Sequence, residues 1–129
     1  MAEKERISIS NMKILLVNGS CNLRGCTFTA LEEIAGVLKK EGLETEIISL
    51  GGEPIRDCIG CGACIKCGEC VFGDDLVNLF VKKAREADGF VLGTPVYYAH
   101  PSGRLLSFLD RAFYSGGSAF AFKPGAAVA

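Results

Sequence analysis

No apolar run among the 129 residues approaches the roughly 18 that a membrane-spanning helix needs. The first twelve residues, MAEKERISISNM, lack the apolar centre of a secretory signal. They read as a short N-terminal tail, with Met12 able to serve as an internal start. Basic residues are not clustered: 14 Lys and Arg are interspersed with 15 Asp and Glu, for a formal net charge of −1. That balance excludes the basic face that nucleic-acid binding requires. His100 is the single histidine, and it reads as a loop residue rather than a catalytic base. Neither GxGxxG nor GxxxxGK followed by Ser or Thr occurs, so the dinucleotide-fold and P-loop fingerprints are absent. There is no internal repeat and no domain linker.

Cysteine is what the chain has in excess. Five of its seven cysteines recur at every third residue in CIGCGACIKCGEC, residues 58–70. Without a secretory signal the expected compartment is the reducing cytoplasm, where clustered thiols are metal ligands or redox groups more often than disulfides. With 49% hydrophobic and 22% charged residues the chain is globular, long enough for one domain with a sizeable core.

Lys13 to Asn18 is a continuous apolar run, as expected of a strand buried on both faces of a parallel sheet. Leu31, Ile34, Ala35 and Leu38 follow helical spacing from about Thr27, with Gly42 as the stop. Glu44 to Leu50 is a second strand. Asp74 or Asp75 caps a helix whose apolar face holds Leu76, Val77, Phe80 and Ala84. Gly89 to Thr94 is a third strand. A helix over residues 102–113 follows, with Leu105, Leu106, Phe108, Leu109 and Ala112 as its apolar side. Gly125 to Ala129 begins a fourth strand. Alternating strands and helices predict an α/β domain over residues 13–129, a doubly wound parallel sheet that looks truncated after the start of strand 4.

Ligands of such sheets sit beyond the carboxyl ends of the strands, where the winding reverses. The loop after the first strand, NGSCNLRGCTFTA, offers the Ser20 and Thr27 hydroxyls, the Arg24 charge and close backbone approach at Gly25, just ahead of a helix. That is anion-site chemistry, suited to a phosphate; it is also the composition of an ordinary polar turn. The loop after the third strand, GTPVYYAHPSG, puts Tyr97 and Tyr98 where they would stack on a planar heterocycle or pack on neighbouring helices.

The combination of GSCNLRGCT, then CIGCGACIKCGEC with DDL, then ADGFVLGTPVYYAHPSGRLLSFLDR resembles the flavodoxin-like NAD(P)H-dependent FMN reductases, in particular their iron–sulfur flavoprotein branch. The resemblance implies a flavodoxin-like sheet of order 2-1-3-4-5, with a fifth strand and a further flavin loop beyond Ala129. It implies that Ser20, Asn22, Gly25, Cys26 and Thr27 cradle the FMN phosphate, and that Pro95, Val96, Tyr97 and Tyr98 line the ribityl chain and ring. Asp110 and Arg111 would close the helix and serve the structure. No catalytic side chain is implied. A reduced nicotinamide, NAD(P)H, or a ferredoxin-like protein would be the electron donor, and a homodimer or homotetramer the assembly.

Tandem C-x2-C spacing lets successive thiolates converge on neighbouring irons, as in bacterial ferredoxins. Cys58, Cys61 and Cys64 supply that part, and Cys67 or Cys70 the fourth ligand. The resemblance favours Cys70, for a 4Fe-4S cluster on Cys58, Cys61, Cys64 and Cys70, with Cys67 surplus. A loop without a cluster, and a zinc site, are the other readings of the same stretch. At the level of function, the alternatives to an iron–sulfur flavoprotein are a flavin reductase without a cluster, a non-enzymatic electron carrier, and a cofactor-free remnant that self-associates.

Overall fold

A computed structural model describes residues 12–129. The tail expected over residues 1–12 lies outside them, except for Met12, whose carbonyl accepts from Glu44 N at 2.8 Å. Along the chain run β1 (Lys13–Asn18), α1 (Cys26–Lys40), β2 (Glu44–Ser49), α2 (Ala63–Cys67), α3 (Leu76–Glu86), β3 (Gly89–Gly93), β4 (Val96–Tyr97), β5 (His100–Pro101), α4 (Gly103–Phe120) and β6 (Gly125–Val128).

The main sheet is parallel, in the order β2-β1-β3-β6. These strands occupy the first four positions of the flavodoxin-like order. Asn18 stands level with Ser49 on one side and Gly93 on the other, and Gly93 with Val128, so all four strands end on one rim. Alternation along the strands divides the core in two. Leu16 and Val91 pack with Leu31 and Ala35 of α1. Leu15, Val17 and Phe90 pack with Val77, Phe80, Leu105 and Phe108 of α3 and α4 on the opposite face. Asp75 caps α3, its Oδ1 accepting from Val77 N at 3.1 Å.

The helix expected over residues 102–113 is longer. α4 continues to Phe120 through a kink at Gly116, where φ is −128°. Gly116 answers a packing need: a Cβ there would overlap the side chain of Val81. Asp110 and Arg111 therefore lie within the helix and do not close it. Leu106, assigned to the apolar side, is 42% exposed. The short elements α2, β4 and β5 have no periodic signal and were not expected.

Glu46 on β2 bridges Lys13 at 2.7 Å and Lys83 of α3 at 2.6 Å. Hydrogen bonds from Lys13 and then Lys83 hold its carboxyl below the ordinary value of 4.5. A depressed carboxylate stabilises the fold above its unfolded pKa, and the gain is lost as pH falls through the folded value. Because the pair is partly solvated, Glu46→Gln should lose no more than about 1 kcal/mol at pH 7. The difference from the parent should be smaller at pH 3 than at pH 7. Urea midpoints at the two pH values check this.

Candidate functional site

Loop 19–25 leaves β1 at Asn18, which is fully buried and organises the turn. Its Oδ1 accepts from Ser20 N at 3.1 Å, and its Nδ2 donates to Ser49 Oγ at 3.2 Å. Ser20 Oγ accepts from Asn22 N at 3.1 Å, and Asn22 Oδ1 accepts from Arg24 N at 3.1 Å. These bonds fold the loop around the start of α1. There Gly25 is the N-cap residue, without a side-chain cap. The first N–H groups of a helix have no intrahelical partner, and with the helix dipole they favour an anion. Cys26 and Thr27 open the helix. Cys26 is exposed, and the Thr27 methyl packs toward Gly93.

The loop after β3 lies directly alongside. Gly19 N donates to Gly93 O at 2.8 Å. Ser102 Oγ, the cap of α4, donates to Gly19 O at 2.8 Å, and Ser102 N donates to Thr94 Oγ1 at 2.9 Å. Past Pro95, Val96 and Tyr97 pair with Pro101 and His100 in a two-residue hairpin. Val96, Tyr97 and Tyr98 are all exposed, so neither tyrosine packs into the core. The Cys21 thiol lies beside the Tyr97 phenol and raises it above the ordinary value of 10.0. This contact across the two loops had no sequence signal.

Both turn residues are left-handed, Tyr98 at φ 48° and Ala99 at φ 63°. A hairpin of this kind prefers Asn-Gly, because only glycine adopts that conformation without cost. Ala99→Gly should stabilise the chain by about 1 kcal/mol and raise its melting temperature by about 4 °C. An unchanged thermal melt would show that the turn is not held in this conformation.

The segment leading into the cysteine stretch starts at the rim, where Arg104 Nη2 donates to Gly52 O at 3.0 Å, and the chain then runs back along α4. Cys64 Sγ reaches Tyr114 O at 3.7 Å, roughly 15 Å along the helix axis from Arg104. The thiols thus sit beside the body of α4 and not on the rim itself. A cavity of about 580 Å³ there is lined by Cys58, Cys61, Cys64 and Cys70, together with Arg111 and Tyr114. Cys67 is not among its walls. Its Sγ lies in α2 against Ala63 O at 3.3 Å and Glu69 O at 3.1 Å. All seven cysteines are free. Among the described residues no three His, Cys, Asp or Glu side chains are grouped closely enough to hold a metal ion. The four thiols share a cavity rather than a coordination point.

Two groups hold the last cysteine in place. Asn78 clamps its peptide, donating to Cys70 O and accepting from Cys70 N, both at 2.9 Å. Arg111 is 1% exposed. Its Nε donates to Cys70 Sγ at 3.2 Å, its Nη1 to Arg56 O at 3.3 Å, and its Nη2 to Phe72 O at 2.8 Å. Both Nη atoms also engage the Asp75 carboxylate.

Over residues 12–129 the chain matches the family described as NADPH-dependent FMN reductase. The chain belongs to that family. As an FMN reductase family member it is 40% identical over 100 residues to an iron–sulfur flavoprotein of Methanocaldococcus jannaschii, covering 78% of this chain and 51% of the relative. It is 44% identical over 100 residues to one from Archaeoglobus fulgidus, covering 78% and 48%. The fold is shared with a solved NADH:FMN oxidoreductase in its apo form, with a TM-score of 0.62, 23% identity, and coverage of 88% of this chain and 55% of that one. The chain spans about half the length of the curated relatives it matches. Both of these relatives carry the name of the branch that the sequence resembles.

In this FMN reductase family member the residues at the rim fit a phosphate: an uncapped helix start, a loop closed by its own side chains, and a nearby cation. Arg104 Nε is the buried side-chain polar atom left without a partner among the described residues. Arg104 was missed in the sequence, as were Asn78 and the roles of Asp75 and Arg111 at the cysteines. A pattern of positions along the chain carries no trace of which side chain fills a gap 41 residues away. Among the described residues no helix is long and apolar enough to cross a membrane.

Proposed function

We propose that this chain forms the FMN-holding part of a NAD(P)H-dependent flavin oxidoreductase of the iron–sulfur flavoprotein kind. The observation that carries the reading is the juxtaposition of the uncapped start of α1 with the Tyr97–Tyr98 hairpin, joined through Gly19 to Gly93 and Ser102. Ser20, Asn22 and Gly25 shape the cradle, and the backbone at Cys26 and Thr27 receives the phosphate. Pro95, Val96, Tyr97 and Tyr98 flank the ribityl chain and ring, with Arg104 at the polar edge. When bound, FMN supplies hydride and single-electron chemistry; the protein supplies position and electrostatics.

A 4Fe-4S cluster on Cys58, Cys61, Cys64 and Cys70 would supply one-electron transfer. Its support is the shared cavity, with the Cys67 thiol directed into its own helix. Free thiols favour a reducing compartment. Exposed Ile65 and Tyr114 beside the cysteines favour self-association into a dimer or tetramer.

The test is an absorption spectrum of anaerobically purified, FMN-supplemented protein, with iron and sulfide counted, followed by addition of NADH or NADPH. Flavin bands over a broad visible shoulder, bleached by the nicotinamide, are expected. Flavin without iron removes the cluster and leaves a flavin reductase. Bleaching by reduced ferredoxin alone makes the protein a carrier. No retained flavin overturns the reading.

A further inference from the structure

We infer that Arg111 is a positioning residue for the cysteine site, one that sets the reduction potential of the cluster through its Nε–H bond to Cys70. The inference rests on the cluster reading above. Arginine has five N–H donors in a rigid plane, and here all five meet an acceptor. Four of them are taken by Asp75, Arg56 O and Phe72 O. The guanidinium is therefore locked by a two-pronged ion pair and two carbonyls, and it cannot swing away from the fifth contact. That contact is the Cys70 sulfur at 3.2 Å, and the arginine side chain is fully buried.

A purely structural arginine would need only the Asp75 fork and the two carbonyls. An N–H aimed at sulfur from a fully buried cation has a second consequence. Reduction adds negative charge to a cluster and its thiolates, and a fixed donor stabilises the more negative state. Hydrogen bonds of this outer shell tune a metal site without touching the metal. Asn78 fixes the Cys70 peptide from the other side, so the sulfur stays in register with the donor.

The experiment uses the full chain, reconstituted anaerobically with iron and sulfide, and follows a dithionite titration by electron paramagnetic resonance. Arg111→Lys keeps the charge but cannot hold the fork and the sulfur together. Its reduction equilibrium constant should fall about tenfold, a midpoint about 59 mV lower for a one-electron couple. Asp75→Asn loosens the ion pair and costs stability, yet it leaves the donor on Cys70 and removes a negative charge, so its midpoint should not fall. Equal downward shifts in both variants would mean that loosened packing sets the potential, and the inference fails. A lysine variant within threefold of the parent also overturns it.

A measurement on the unmodified protein guards against a variant that does not fold. With 15N-labelled arginine, the spin echo of the reduced cluster should carry modulation from one arginine nitrogen, and its absence overturns the contact. Iron and sulfide counts separate the two levels: an unmodified protein that retains neither overturns the cluster reading itself. A cluster whose potential ignores Arg111 overturns this inference alone.

Discussion

Replacing Arg111 with alanine is expected to cost about 3–5 kcal/mol of folding stability, the range for removing one partner of a buried ion pair. The substitution would leave the Asp75 carboxylate without its cation and the carbonyls of Arg56 and Phe72 without donors. It also opens a cavity under the Phe72 ring, on which the guanidinium lies 5.4 Å from the centroid. Asp75 is in addition the cap of α3, so the damage spreads to that helix. Against a total of about 5–15 kcal/mol for a domain, the loss is a large share. The urea midpoint should drop steeply, and residues 53–75 should become the first site of proteolysis.

The exposed pair Arg56–Asp74, at 3.1 Å, supplies the contrast. Asp74→Asn should leave the midpoint nearly unchanged, because a solvated pair is screened. A loss below about 1 kcal/mol for Arg111→Ala would mean that water reaches the ion pair, contrary to its burial.

The second large effect is at Gly19. A Cβ there would lie 2.9 Å from Gly93 O and 3.0 Å from Leu105 Cβ. The nearer atom is backbone of β3, already bonded to Gly19 N at 2.8 Å, so it cannot turn aside as a side chain would. Gly19→Ala must push the loop after β1 off β3 and strain the Ser102 bond to Gly19 O. Overpacking of this kind costs about 1–3 kcal/mol. Because the displaced segment is the proposed FMN cradle, most of the loss should appear in binding, about a 5- to 100-fold weaker Kd for FMN.

Flavin fluorescence quenching measures that, with riboflavin, which lacks the phosphate, as the comparison ligand. FMN should lose its advantage over riboflavin in the variant. Gly36→Ala is the control: nothing lies within 4 Å of a Cβ there. An alanine inside α1 should stabilise the helix by about 1 kcal/mol without touching FMN. Equal FMN affinity in Gly19→Ala and the parent would place the phosphate elsewhere.

The main elements were legible because their signals are local. The uninterrupted run at Lys13–Asn18 and the spacing of Leu31, Ile34, Ala35 and Leu38 each fall within a few turns of chain, and the structure has β1 and α1 there. Asp74 or Asp75 was recognisable as a cap for the same reason, and the structure has Asp75 in that place. The length of α4 was not, since the place of Gly116 in the helix rests on its close packing against Val81. The hairpin at Tyr98–Ala99 escaped because neither residue is one that favours a left-handed turn.

The amino-acid sequence alone determined the α/β alternation, a polar loop rich in small residues after β1 and a run of thiols at three-residue spacing. Those depend on residue type and on intervals of two to four along the chain. What it left open was how the five thiols differ. Packing on α4 lines one cavity with Cys58, Cys61, Cys64 and Cys70 and sets a buried arginine on Cys70, while the Cys67 sulfur bonds locally to Ala63 O and Glu69 O. Those distinctions arise only when α2, α3 and α4 close together, because a buried cation must collect its acceptors from wherever the fold brings them.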